Sequence, residues 1–361
     1  MNDEHYMRLA IRLARKGRFY VSPNPMVGAV IVKNGRIIGQ GYHKIFGGNH
    51  AEINAIKNAG KDIAGSTLYV TLEPCCHEGK TPPCTDSIIK HKIARVVVGS
   101  ADSNPLVSCQ GISYLQRYGI EVKTGVLEKE CRNLNEKFFY YMETGLPFIT
   151  LKYAQTLDGR IATVTGNSKW ISSASSLKFA HQLRAEHDAI LVGRKTVARD
   201  NPELTVRLVK GRNPLRVIVD SGLRISLAAK VLQNISKTPT LIATTRKSDD
   251  AKFKKIVSSG IEVITVKADK KGQVDLKKLF DILAAKQISS ILIEGGSHII
   301  TSVLKDNLAN RIVTVIAPKI IGKGIEAVGD LNIRNLDSAK RLSLKKVFRY
   351  EDDIIIDSRF E

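Results

Sequence analysis

Long apolar runs are missing from this chain. None approaches the roughly 18 residues that a membrane-spanning helix needs. The opening MNDEHYMRLAIRLARKG starts acidic, and Arg12 and Arg15 interrupt its apolar positions. A secretory signal wants a basic start, an unbroken apolar stretch and a small-residue cleavage site, so the expected location is cytoplasmic and no membrane partner is expected. Cysteine is scarce and odd in number: Cys75, Cys76, Cys84, Cys109 and Cys131. An odd count without a signal argues against a disulfide framework. Glycine and proline number only 27 and 11 in 361 residues, which excludes collagen-like and low-complexity character. No internal repeat shows at a solenoid period. Acidic residues are also few, 35 against 56 Lys plus Arg, leaving a net charge of +21.

A basic excess can mark a polyanion partner or only a solvated surface. Here it is spread thinly, in pairs such as Lys254-Lys255, Lys270-Lys271, Lys277-Lys278 and Lys345-Lys346. Residues 1–146 hold 19 basic and 13 acidic residues, and residues 147–361 hold 37 and 22. No long basic block or aromatic-interleaved stripe stands out, so no nucleic-acid partner is expected.

What is present suits a globular protein of about two domains: 43% hydrophobic and 25% charged residues. Helical spacing over 3–16 precedes the rigid loop Ser22-Pro23-Asn24-Pro25. A strand over 27–32 runs through Asn34-Gly35, a two-residue hairpin signal, into 36–41. A helix is expected over 50–59, a strand over 67–72, a helix over 85–91 and a strand over 94–99. Helix 108–118, strand 120–123 and one helix over 128–142 follow. Gly145-Leu146-Pro147 then punctuates the chain, which sets the expected domains at 1–146 and 147–361. The second half alternates strands (148–153, 188–193, 215–219, 239–244, 261–266, 289–293, 311–317) with helices (173–185, 249–258, 275–285, 296–305). It ends in an antiparallel hairpin, 343–349 and 353–358. Both halves read as α/β.

The sharpest signal is His50-Ala51-Glu52, then Pro74-Cys75, then Cys84. A catalytic zinc takes three protein ligands and keeps one position for water. One imidazole and two thiolates supply that count. Glu52, two residues past His50 at a helix start, reaches the same place without ligating, as a proton carrier does. A His-x-Glu with a later Pro-Cys is the logic of zinc deaminases. Cys76 and His77 remain nominal alternatives for a ligand, since adjacent thiols cannot both point the same way.

In the second half no G-x-G-x-x-G follows a strand, so the dinucleotide fingerprint of the common nucleotide-binding fold is missing. Instead Ile291-Leu292-Ile293-Glu294-Gly295-Gly296-Ser297 reads as a buried strand, an acid, two glycines and a helix start. Free amides at such a helix start form an anion site.

SPNPMVGAV, GGNHAE and TLEPCCHEGKTPPC together resemble the deaminase domain of the bifunctional riboflavin-biosynthesis deaminase/reductases. LKYAQTLDGRIAT, NSKWIS and HQLRAEHDAILVGRKTVARDNPELTVR resemble the reductase domain that follows it, so the likeness covers nearly the whole chain. The resemblance implies a cytidine-deaminase-like three-layer α/β N-terminal domain and a dihydrofolate-reductase-like C-terminal domain. It implies zinc (Zn2+) on His50, Cys75 and Cys84, with Glu52 as the catalytic proton shuttle. Asn24, His43, His77 and Lys80 would contact the substrate base or phosphate. NADPH would meet Ala154, Trp170, Thr196, Asp200, Ser221 and the run Gly296, Ser297, His298, Ile299, Ile300, Thr301 and Ser302. A small phosphorylated pyrimidine would be held by Ser168, Arg184, Leu204, Arg207 and Glu294. Arg184 and Arg207 are suited to clamping a phosphate with charge-assisted forks, and Trp170 offers an aromatic face. Lys152 is open between a substrate carbonyl, a substrate phosphate and the cofactor 2′-phosphate. A homo-oligomer is the expected assembly.

Overall fold

The computed structural model describes residues 2–78, 82–104, 110–245 and 250–361. It divides into two compact units, Met1–Gly145 and Leu146–Glu361.

The N-terminal unit contains α1 (Asp3–Ala14), β1 (Gly28–Lys33), β2 (Arg36–Tyr42), α2 (Ala51–Ala59), β3 (Thr67–Leu72) and α3 (Cys84–Lys90). It continues with β4 (Arg95–Ser100), α4 (Gln110–Arg117), β5 (Glu121–Lys123), α5 (Glu128–Leu134) and α6 (Glu136–Thr144). The sheet order is β2-β1-β3-β4-β5. β1 is antiparallel to both its neighbours, and β3, β4 and β5 run parallel. Asn34 and Gly35 take φ of 50° and 75°, the left-handed pair that a tight hairpin turn demands. Alternation then sorts the side chains. Ile31, Leu68, Val70, Val96 and Val98 face Ala55, Ile88 and Leu115 of α2, α3 and α4. Val30, Val32, Tyr69 and Val97 face Tyr6, Met7, Ala10 and Cys131 of α1 and α5. The result is three layers, helix on sheet on helix.

The single helix expected over 128–142 is a correction. It breaks at Asn135, whose φ of −116° and ψ of 30° leave the helical region. The Asn135 carboxamide accepts from the Met26 amide at 2.8 Å and donates to the Met26 carbonyl at 2.9 Å. That two-way bond to the backbone of a distant loop competes with the helix ladder locally.

The C-terminal unit contains β6 (Phe148–Thr156), β7 (Arg160–Thr163), α7 (Ala174–Ala185), β8 (Ala189–Gly193), α8 (Arg194–Asp200), β9 (Leu215–Val219), β10 (Thr240–Thr244) and α9 (Asp250–Ser258). Then come β11 (Glu262–Thr265), α10 (Leu276–Ala285), β12 (Ser290–Ile293), α11 (Ser297–Lys305), β13 (Arg311–Ala317), β14 (Gly324–Glu326), β15 (Leu342–Tyr350) and β16 (Asp353–Phe360). Nine strands form one sheet, ordered β11-β10-β9-β8-β12-β6-β13-β16-β15. The first seven are parallel, and β16 and β15 close the edge as an antiparallel hairpin. Ile149, Leu191, Val217 and Ile291 face α10 and α11, while Ile190, Ile218 and Ile242 face a separate core on the other side. The pair β7–β14 and the short helix α8 carry no periodicity of their own in the sequence and were absent from the expected elements.

One polar network ties α1 to its sheet. Asp3 accepts from both Arg95 Nη atoms (2.9 and 3.1 Å), Lys123 Nζ (2.8 Å) and the Tyr69 hydroxyl (3.0 Å). These donors hold its carboxyl well below the usual carboxylate range, the Arg95 bond first among them. A depressed acid stabilises the fold above its unfolded pKa of about 4 and loses that contribution as pH falls below it. Replacing Asp3 by Asn is expected to cost about 1–3 kcal/mol at pH 7, read as a denaturant midpoint shift that shrinks as the pH is lowered below 4.

Candidate active sites

The carboxyl end of β3 and the starts of two helices build the first site. His50 is the extended N-cap of α2 and makes no cap hydrogen bond itself. α2 reaches this position because a Cβ on Gly41 of β2 would lie 2.3 Å from the Ala51 carbonyl oxygen; only glycine lets the helix start press against the strand. Cys75 follows β3 and Pro74, and Cys84 opens α3. The Nδ1 of His50 lies 3.5 Å from Cys75 Sγ and 3.3 Å from Cys84 Sγ. All three donor atoms fall within 4.8 Å of one another. The Cys84 amide also donates to Cys75 Sγ at 3.4 Å.

Charge in this pocket is tightly shared. Cys84 and His50 lower the Cys75 thiol to about 4, and the Cys84 thiol is pushed up by its bond to Cys75 and by burial. Glu52 is buried, with 3% exposure, and burial raises its carboxyl to about 7. Its Oε2 has no hydrogen-bond partner. A buried carboxylate oxygen left open beside three convergent ligands is the arrangement expected where a water or substrate proton must be met.

Around this centre the structure places other residues singled out by sequence. His43 Nδ1 bonds the Asn49 carbonyl at 3.0 Å, so its Nε2 accepts from the Asn24 amide at 3.2 Å. Its ring meets that of His50 edge-on at 5.6 Å. His77 Nδ1 is buried without a hydrogen-bond partner among the described residues. Lys80 lies outside the described residues. Cys76 stays apart from the ligand cluster, and burial raises its thiol. Two acids escaped the sequence reading. Glu73 accepts from the amides of Gly111 (3.0 Å) and Ile112 (3.2 Å) at the start of α4, and from Asp102 (3.1 Å). Burial raises Asp102 to about 6. The only trace of Glu73 in the sequence was its place two residues before Cys75.

The second constellation gathers at the end of β12. Gly296 caps α11 without a side-chain bond, so the first-turn amides of Ser297 and His298 face outward for an anion. Thr196 of α8 adjoins Gly296: its Oγ1 would lie 3.5 Å from a Cβ there. Asp200 ends α8, its carboxyl raised by burial. Ser221 accepts from the Val274 amide at 3.0 Å. Trp170 is 66% exposed, and its carbonyl accepts from Lys319. Ser168 lies in the same segment after β7, and Ala154 sits in mid-β6, paired with Val315.

Here the structure adds partners and burial to residues singled out by sequence. The fork of Arg184 is not open: Nε and Nη2 donate to both Glu294 oxygens at 2.8 and 2.7 Å, and Nη1 donates to the Thr205 carbonyl. Glu294, held down to about 2 against its own burial by Arg184, is thus a fixed partner of Arg184. Leu204 is buried (2%) in a core cluster at φ of 54°, so only its backbone can meet a ligand. Ile300 is wholly buried and Ile299 packs against the same core, so the helix turns these two inward, while Thr301 donates to the Ser297 carbonyl and accepts from the Gly329 amide. Arg207 is exposed, with Nη1 donating to Glu203 (3.0 Å) and Thr205 (2.9 Å). Lys152 lies half-buried near Glu294, Arg184 and Asp353, and desolvation lowers its ammonium. His181, absent from the sequence reading, accepts the Arg207 amide on Nδ1 at 2.9 Å.

Comparison with known proteins decides the family. Residues 147–356 match the RibD C-terminal domain, and residues 1–100 match the cytidine and deoxycytidylate deaminase zinc-binding region. The riboflavin biosynthesis protein RibD of Aquifex aeolicus is 48% identical, over 98% of this chain and 97% of its own. This chain belongs to the RibD family. That of Actinobacillus pleuropneumoniae is 44% identical over 99% and 95%. Among solved structures, Acinetobacter baumannii RibD (form 1) superposes with a TM-score of 0.91 at 33% identity, covering 99% of each chain. A deaminase/reductase from Thermotoga maritima gives 0.88 at 38% identity, with 99% of each covered.

As a RibD protein the chain is a bifunctional enzyme of riboflavin biosynthesis, a deaminase followed by a reductase, with zinc and NADPH as cofactors. The His50, Cys75 and Cys84 donor set fits zinc in softness and number, and the open Oε2 of Glu52 fits a proton carrier beside such a centre. No helix among the described residues is long and apolar enough to cross a membrane.

Two outcomes follow from this geometry. Cys75→Ser is expected to remove most bound zinc, whereas Cys76→Ser keeps it at one per chain, measured by mass spectrometry of the metal. His181, lowered to about 4 by burial and by Arg184, stays neutral in the folded unit. An unfolded histidine near 6.5 then binds more protons between pH 6.5 and 4. The unit's stability is expected to fall as pH drops through that window, with the His181 ring signals in NMR titrating near 4.

Proposed function

We propose that residues 1–146 hydrolyse the 2-amino group of 2,5-diamino-6-(5-phosphoribosylamino)pyrimidin-4-one, and that residues 147–361 reduce the ribosyl group of the product to ribityl. The Thermotoga maritima relative carries the names of both reactions. The observation that carries the first step is the convergence of His50, Cys75 and Cys84 on a buried Glu52 with an open Oε2. Bound zinc supplies Lewis acidity toward a water, lowering its pKa to about 7. Glu52 takes the proton of the attacking water on Oε2, passes it to the ring nitrogen and then serves the departing ammonia. Water adds at the ring carbon, the carbon–nitrogen bond breaks, and a carbonyl and ammonia remain. His43, held in one tautomer by the Asn49 carbonyl, and Asn24, bonded to it, orient the ring, and His77 offers a buried nitrogen with no partner among the described residues.

In the second unit, NADPH supplies the hydride for C1 of the opened, imine form of the ribosyl group. The Ser297 and His298 amides receive the cofactor pyrophosphate, with Thr196 beside them. Ala154, Trp170, Asp200 and Ser221 complete that contact, and Ser302 continues it along α11. Arg207 meets the substrate phosphate from its exposed loop, and Ser168, with the Leu204 backbone, borders it. Arg184 acts through Glu294, fixing that carboxylate next to Lys152. Self-association is supported by the exposed apolar side chains Leu344, Val347 and Ile354 on β15 and β16. A cytoplasmic site is consistent with thiols kept reduced for metal.

Glu52→Gln is expected to lower ammonia release by about 10²–10⁴-fold while zinc content holds. NADPH oxidation on supplied deaminated substrate, followed at 340 nm, is expected to remain within about twofold of the parent. Loss of both activities together would sink the two-site assignment.

A further inference from the structure

Between Glu4 and Glu52 the chain carries no acidic residue, yet residues 5–51 hold eight Lys or Arg. Some of these charges are answered locally. Arg8 pairs with Glu4, and Lys33 pairs with Asp62. Arg15, Lys16 and Lys44 are instead exposed and form no ion pair among the described residues, and Arg18 beside them is exposed as well.

The fold brings together the two segments that carry these four, residues 15–20 and 42–46. A 3-10 turn, Arg15–Gly17, closes α1. A Cβ on Gly17 would lie 2.5 Å from the His43 carbonyl oxygen, so glycine is what lets the turn rest on the backbone of residue 43. The Phe46 amide donates to the Tyr20 carbonyl at 3.0 Å, joining the two segments again. The Nζ atoms of Lys16 and Lys44 each lie 5.9 Å from the centroid of the Tyr42 ring. His43, between Tyr42 and Lys44, meets the ligand His50 edge-on. The cationic cluster therefore borders the zinc centre through one shared segment of backbone.

A phosphate monoester carries between one and two negative charges near pH 7. A patch of one sign beside a low-dielectric site focuses the field and raises the local concentration of a counter-charged substrate. We propose that Arg15, Lys16, Arg18 and Lys44 form an electropositive rim that draws the phosphorylated pyrimidine to the deaminase centre. This rests on the deaminase assignment above. The rim acts at a distance, so it leaves the bond-making step untouched and works on capture. With a Debye length near 10 Å at 0.1 M salt, its effect fades over ordinary ionic strengths.

The test measures kcat/KM for ammonia release by the full-length zinc-loaded chain across about 20–500 mM sodium chloride. The parent is expected to lose about tenfold over that range with the phosphorylated pyrimidine. The analogue without its phosphate is expected to show a flat profile. The double variant Lys16→Glu with Lys44→Glu is expected to start about tenfold lower at low salt and to flatten, with kcat, zinc content and NADPH oxidation unchanged. The corresponding Gln pair should fall between. Should the Glu pair lose zinc, the Gln pair decides. A salt-independent parent, equal slopes for the phosphorylated and unphosphorylated substrates, or an unchanged kcat/KM in both pairs overturns the rim. Absence of ammonia from the parent at every salt overturns the deaminase assignment itself, and the rim with it.

Discussion

His50, Cys75 and Cys84 come within 4.8 Å of one another only because two helix starts abut the carboxyl end of one strand. β3 delivers Cys75 past Pro74, α3 opens on Cys84, and α2 opens one residue after His50. Each of these helices is held by close backbone approach or apolar contact, Gly41 under α2 and Ile88 in the core under α3. A shift of the sheet register would turn the alternating core residues outward, and the ligands would separate with them. The rest of the unit serves this convergence. Asn135 pins the loop that leads into β1, and Glu73 gathers the amides of α4 on the strand end that carries Cys75. Glu52 stays buried and half-satisfied as a consequence, a cost tolerated where chemistry needs an open oxygen.

The second unit is organised around a different interaction. Arg184 and Glu294 form a bidentate pair, each with a side chain less than 15% exposed. Removing two charges from water is expensive, and the attraction offsets it only with good geometry and further bonds. The fork supplies the geometry, and the Thr205 carbonyl takes one more donor. The pair therefore links α7, the end of β12 and the 203–207 loop in one arrangement. Lys152 near it, with its ammonium lowered by desolvation, has a position set by the same pair.

Much of this was legible in the residues. Short apolar runs of strand length announced β1, β3, β8 and β13, and the hairpin turn was written in Asn34-Gly35. The zinc ligands stood out because ligating chemistry admits few residue types and the spacing placed each at a strand end or helix start. The break at Asn135 was illegible, because its cause is a bond to Met26, more than a hundred residues away in sequence. α8 was hidden because a seven-residue helix has too few turns to show a face. The pairing of Arg184 with Glu294 was illegible for the same kind of reason: nothing local to residue 184 says that Glu294 will close on it.

Composition, spacing and local pattern by themselves determined that there are two α/β units, that one holds a zinc deaminase centre, and that the other has a glycine-rich helix start after a buried strand. These properties depend on residue type and on neighbours a few positions away. Tertiary structure alone decided which of Cys75 and Cys76 faces His50, which side chains of residues 296–302 turn into the core, and that Arg184 is already partnered. It also decided that Lys16 and Lys44 meet over the Tyr42 ring, beside His43. Each of these is a contact between segments distant in sequence, set by how helices pack on sheets.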